Sequence, residues 1–152
     1  MFSLAKIFTT FFYLGYSPVA PGTLGSIAAI VLWWFFLNTN FLYFITFFLI
    51  YILFAYIFTR IHLDEEGKDD PSEIICDEVL GQFIPLFIIT STDDIYLILI
   101  AFVSFRIFDI YKLYPANYAE SMYGANGVIM DDVVAGIYAL IIVFIFKYLL
   151  SI

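Results

Sequence analysis

Two acidic pairs, Asp77-Glu78 and Asp131-Asp132, stand in similar surroundings, I-I-C-D-E-V at 74–79 and V-I-M-D-D-V at 128–133, each followed by a glycine, Gly81 or Gly136. The likeness suggests a faint internal duplication that yields paired sites. A fifth carboxylate, Asp109, lies between Arg106 and Lys112 at a spacing of three residues on either side. If these stretches meet, five carboxylates face two bases and the cluster is about three charges short of neutral, so a cation should bind. Carboxylate oxygens without Cys or His partners are hard ligands, which favours Mg2+ or Mn2+ over zinc or copper. The competing reading makes Asp77 and Asp131 helix N-caps, where an acidic side chain satisfies free N–H groups and the helix dipole.

The stretch S-P-V-A-P-G-T-L-G-S, Ser17 to Ser26, offers different chemistry. Its glycines let backbone approach a ligand, and Thr23 and Ser26 place hydroxyls where a helix begins, a suitable cradle for an anionic oxygen such as phosphate. The same pattern also serves as a plain helix-starting turn. Arg106, Asp109 and Lys112 share roughly one side of a helix. They form either an intrahelical ladder of ion pairs or a set in which the two bases take phosphate oxygens while Asp109 holds metal. Gly124 and Gly127 read as a flexible turn folding over a head group. His62 falls in the polar stretch Arg60 to Glu73, which reads as a solvated loop carrying a surface histidine.

The elements that must position these groups are set by an unusual composition. The chain has 152 residues, 64% of them from the AVILMFWYC set and 13% charged, with 33 aromatics (19 Phe, 12 Tyr, 2 Trp). Its mean hydropathy is +1.00. Ordinary soluble domains are about 45–50% apolar and 25% charged, so lipid is the expected solvent and one domain over residues 1–152 the expected organisation. The net charge of −8 argues against nucleic-acid binding, and the single Cys76 excludes an internal disulfide or a cysteine-based metal cluster.

Apolar runs predict an all-α polytopic membrane bundle of about five spans: Leu24 to Leu37, Phe41 to Phe58, Asp77 to Thr92, Ile95 to Tyr114 and Val133 to Ile152. Asn38, Thr39 and Asn40 form the first hairpin connection. The third span, with Gly81, Gln82 and Pro85, should be irregular and face protein rather than lipid. The first sixteen residues read as an interfacial helix with Ser3, Lys6, Thr10 and Tyr13 on its polar face. Lys6, Arg60, Lys68, Arg106 and Lys112 cluster at one set of helix ends, which should be cytoplasmic, while Lys147 dissents. All the candidate chemistry falls at that same face.

These motifs carry a resemblance. P-x-A-P-G-T-x-G-S at Pro18 to Ser26, D-E-x-x-G at Asp77 to Gly81, F-R-x-F-D-x-x-K at Phe105 to Lys112 and G-V-I-M-D-D-V-x-A-G at Gly127 to Gly136 resemble, in order and spacing, the phosphatidylglycerophosphatase A family. The resemblance covers about residues 15 to 140. It implies a Mg2+-dependent phosphatase of the bacterial inner membrane, active on the cytoplasmic side, that converts the phospholipid phosphatidylglycerophosphate to phosphatidylglycerol. It also implies catalytic roles for Asp77, Glu78, Asp109, Asp131 and Asp132, with Asp77, Glu78, Asp131 and Asp132 as metal ligands and Thr23, Ser26, Arg106 and Lys112 as substrate contacts. The chain departs from the family pattern at Leu113, at Glu120-Ser121 and at Gly124-Ala125, in a loop one residue shorter. Rival readings are a divalent-cation channel or carrier, which the near absence of polar groups along three of the spans disfavours, and an inactive lipid-binding subunit on the same scaffold.

Overall fold

A computed structural model describes residues 4–37, 40–67 and 71–149. Among these residues the chain is all helical, in the order α1 (Leu4–Thr9), a 3-10 turn (Leu14–Tyr16), α2 (Pro21–Leu37), α3 (Phe41–Glu66), α4 (Cys76–Leu86), α5 (Ile95–Tyr111), α6 (Ala116–Glu120) and α7 (Ala125–Leu149).

The organising element is α4, which is packed by α2, α3, α5 and α7. Apart from Glu78 and Ile84, every one of its residues is buried. Phe83 is the hub, with Phe44, Phe47 and Tyr51 of α3 set edge-on against it at ring-centroid distances of 5.6, 5.8 and 5.6 Å. Such edge-to-face aromatic pairs each add about 0.5–1.5 kcal/mol beyond the area they bury.

Close approach of α4 to α7 depends on two glycines. A β-carbon on Gly81 would lie 2.6 Å from the Asp132 carbonyl oxygen and against the Phe105 ring, and one on Gly136 would collide with the Gly81 carbonyl. That carbonyl is available because Pro85, four residues on, has no N–H to donate to it. Helices meeting through small residues are a membrane-bundle solution, since backbones must come close where lipid supplies no hydrophobic driving force.

The five-span expectation is reproduced only in part. By length and composition α3 and α7 can each cross a bilayer. The expected third span is the eleven-residue α4, about 16 Å long and too short to cross, because Pro85 and the turn after Leu86 end it early. Helices α2 and α5, seventeen residues each, are about 26 Å long.

Three further expectations change. The stretch from Arg60 is not a loop at its start: α3 runs on to Glu66, and Gly67, at φ 66°, closes it with its N–H donated to Leu63 O at 2.9 Å. At 26 residues α3 is about 39 Å long, so its charged last turns project beyond a hydrocarbon core of about 30 Å. Of the turn expected at Gly124 to Gly127, Gly124 does stand in a turn, at φ 65°, but Ala125 to Gly127 already belong to the first turn of α7. The N-terminal segment is a six-residue helix and a 3-10 turn with Thr9 and Thr10 buried, rather than one interfacial helix. Asn40 caps α3, its side chain accepting from Leu42 N at 2.8 Å, whereas Ser3, Asn38, Thr39 and Lys68 lie outside the described residues. The dissenting Lys147 donates to the Ile88 carbonyl at 2.7 Å, so its charge has a local role at the end of the α4 segment.

Candidate active site

The start of α4, the last turns of α5 and the second turn of α7 end on one cavity of about 520 Å3. Asp77, Glu78, Asp109, Lys112, Asp131 and Asp132 line it, together with Glu120 and the 121–124 turn. Remote acidic motifs thus meet in space.

Its centre is Asp77, Glu78 and Asp132, each offering a carboxylate oxygen within 4.8 Å of the others. Asp77 Oδ1 and Glu78 Oε2 are buried and have no hydrogen-bond partner. A buried carboxylate oxygen without a donor is costly, about 1–3 kcal/mol or more. Two of them near a third carboxylate make a site that a positive charge would stabilise. The capping alternative does not account for them. Ile75 stands at the N-cap of α4, with no side-chain cap bond, while Asp131 and Asp132 lie past the first turn of α7, inside a formed helix. The donor set is all hard oxygen, so a divalent ion of the magnesium kind fits these residues.

The bases divide their work. Arg106 Nη1 is 2.5 Å from Asp109 Oδ2, which is the first half of the ladder the spacing allows. The second half does not form, because α5 ends at Tyr111 and Lys112 takes a left-handed conformation at φ 43°. Its ammonium turns to α7 and α6, 2.5 Å from Asp131 Oδ2 and 3.0 Å from Glu120 Oε1. Burial, the largest single influence, would lower the Lys112 pKa, but hydrogen bonds and negative charge from Asp131 and Glu120 together raise it above the ordinary lysine value. Asp131 is therefore Lys112's partner first, and its other oxygen accepts from the Asp132 N–H at 3.0 Å.

The proline-glycine stretch reaches the site through backbone more than through hydroxyls. A β-carbon on Gly22 would collide with Glu78 Oε1 and lie 3.0 Å from Arg106 Nη1, so the bare glycine allows both side chains to reach the start of α2. Ser26 is fully buried and its hydroxyl donates to the Gly22 carbonyl at 3.0 Å, within its own helix. Thr23 is half-buried, and neither Thr23, Ser26 nor Arg106 lines the cavity. Glu120, which the departures from the family pattern obscured, is brought in by α6 against Lys112. His62, read as a surface residue, is fully buried, since α3 continues through it.

A phosphatidylglycerophosphatase A family profile matches residues 7–147. A protein of Bacteroides thetaiotaomicron, provisionally named a phosphatidylinositol-3-phosphatase, is 36% identical over 97% of this chain and 96% of its own. Proteins named phosphatidylglycerophosphatase A from Escherichia coli and Haemophilus influenzae are 35% and 39% identical, covering 81% and 85% of this chain and 72% and 80% of theirs. No solved structure matches. With three of the four co-linear motifs lining one cavity, the first packed against Glu78 and Arg106 through Gly22, and a profile spanning nearly the whole length, the chain belongs to the phosphatidylglycerophosphatase A family.

Proposed function

We propose that the protein hydrolyses the terminal phosphomonoester of phosphatidylglycerophosphate, giving phosphatidylglycerol and phosphate in bacterial phospholipid biosynthesis. The enzyme sits as a multi-pass protein in the inner membrane with its cavity at the cytoplasmic interface. The observation that carries this reading is the meeting of Asp77, Glu78 and Asp132 with two partnerless buried oxygens on the wall of an open cavity. Family membership supports the phosphatase chemistry.

Asp77, Glu78 and Asp132 would hold Mg2+, with Asp131 adjacent. When bound, the ion supplies charge neutralisation for phosphate oxygens and acidifies water. The chain's own residues do the rest. Lys112, which stays a cation, faces the cavity and attracts the incoming dianion. Arg106 holds Asp109 in place at 2.5 Å, leaving Asp109 on the cavity wall as a hydrogen-bond acceptor for water or the glycerol hydroxyl. Glu120 and the 121–124 turn line one side of the cavity. Acyl chains remaining in the bilayer position the head group, so only the phosphorylated end enters.

The Bacteroides relative, named for a different head group and similar over nearly its full length, supports a second reading in which the same cavity takes a phosphorylated inositol lipid. Phosphate release in mixed micelles, with Mg2+ or with chelator, separates the two. Phosphatidylglycerophosphate should be the preferred substrate, and phosphatidylglycerol, which lacks the monoester, should release nothing. A clear preference for phosphatidylinositol 3-phosphate would reassign the head group, and no release from either lipid would refute the hydrolase reading.

A further inference from the structure

A second cluster lies where α1, the end of α3 and the segment leading into α4 meet. His62 and Glu66 come from α3 and Glu73 from that segment, each with a ligand atom within 4.8 Å of the others. His62 is fully buried. Its Nδ1 is 2.6 Å from Thr9 Oγ1. The Thr9 hydroxyl also lies 2.9 Å from the Ala5 carbonyl, an acceptor for its own proton, which leaves Oγ1 able to accept from the ring. With the proton on Nδ1, Nε2 presents a lone pair; that atom is buried and without a hydrogen-bond partner.

A histidine whose Nδ1–H is held by an oxygen while Nε2 is free has the arrangement of a metal-ligating imidazole. Nothing in the phosphatase chemistry uses it. We propose that His62, Glu66 and Glu73 form a second metal site, one that takes a borderline divalent transition ion of the zinc type. The imidazole decides the metal: an all-carboxylate set suits Mg2+, whereas one nitrogen and two carboxylates suit Zn2+. Metal–ligand bonds of about 2.0–2.2 Å require ligand atoms roughly 3.5 Å apart, which rotation of the two half-buried glutamates supplies.

Lys6 is the built-in competitor. Its ammonium pairs with Glu66 Oε1 and so holds one ligand when no ion is bound. A bound ion would displace Lys6 and tie α1 and α3 to the segment that enters α4, which already anchors to α1 through Ile75 N–H donated to Thr9 O at 2.9 Å. The site is a staple set four residues ahead of Asp77, and it stands independently of the proposed substrate.

Chelator competition with Zn2+ on the full-length, detergent-solubilised protein, in excess Mg2+ to occupy the carboxylate site, tests this directly. One Zn2+ per chain should bind. His62→Ala, and separately Glu73→Gln, should weaken it by about tenfold or more, and Thr9→Val should weaken it through loss of the Nδ1 acceptor. Lys6→Gln should tighten binding, and Asp77→Asn should leave it unchanged. Co2+ bound in place of zinc should show visible d–d absorption that His62→Ala abolishes. Equal Zn2+ affinity in wild type, His62→Ala and Glu73→Gln, or loss of Zn2+ on adding Mg2+ or in Asp77→Asn, would overturn the proposal. Glu73 is half-buried and outside any helix, so Glu73→Gln keeps the test decisive if His62→Ala does not fold.

Discussion

Lys112 shows how one side chain serves both fold and chemistry. It neutralises Asp131, whose side chain is only 8% exposed, while keeping a quarter of its own surface in the cavity. Lys112→Met leaves Asp131 as an uncompensated carboxylate and should destabilise the protein by about 2 kcal/mol, less than a fully buried pair because water reaches the ammonium. Adding Asp131→Asn to Lys112→Met should restore most of that loss in a thermal melt. The sign with pH follows from the raised Lys112 pKa: the stabilisation is fully present below the ordinary lysine value and is lost only as pH rises through the higher folded value. The melting difference between wild type and Lys112→Met should therefore hold steady from about pH 7 to 9. The acidic positions were legible in the sequence because charge stands out in an apolar chain. His62 was not, because a run of charges reads as a loop even where its alternate turns are buried. Nor was the role of Ser26, whose hydroxyl is taken by its own helix at Gly22.

At the scale of elements, function rests on how closely α4 can lie against α2 and α7. Gly81→Ala puts a β-carbon between the Phe105 ring and the Asp132 backbone, so it should shift Asp132 and cost roughly 1–3 kcal/mol of stability along with activity. Gly22→Ala meets the tips of Glu78 and Arg106 instead. Its expected signature is lost turnover with a near-normal melting temperature. Equal melting temperatures for the two variants would contradict this division. Helix type and order were readable from apolar runs and punctuation. The true lengths of α4 and α7 were not: Pro85 ends the first early, and the small residues Ala125 to Gly127 disguise the start of the second.

At the scale of the whole molecule, the apolar composition is reconciled with folding by an outer surface that stays apolar. The outward faces of α3 and α7 show Leu49, Leu53, Phe54, Ile57, Ile141 and Phe144. The two tryptophans report on this separately, since Trp33 is 1% exposed and Trp34 46%. In bilayers of brominated lipid, Trp33→Phe should retain strongly quenched emission from Trp34. Trp34→Phe should show Trp33 emission nearly unquenched. The reverse pattern would place α2 with its other face to lipid.

We propose that carboxylates from α4 and α7 create a divalent-cation centre on which phosphate release depends. The most direct measurement is the initial rate of phosphate release from phosphatidylglycerophosphate in lipid nanodiscs, followed across a Mg2+ titration for wild type, Asp77→Asn and Asp132→Asn. Saturable Mg2+ dependence in the wild type, with at least about a hundredfold loss in both variants at unchanged folding, is the predicted result. Turnover that ignores Mg2+ and chelator alike, or near-normal rates in either variant, would contradict it.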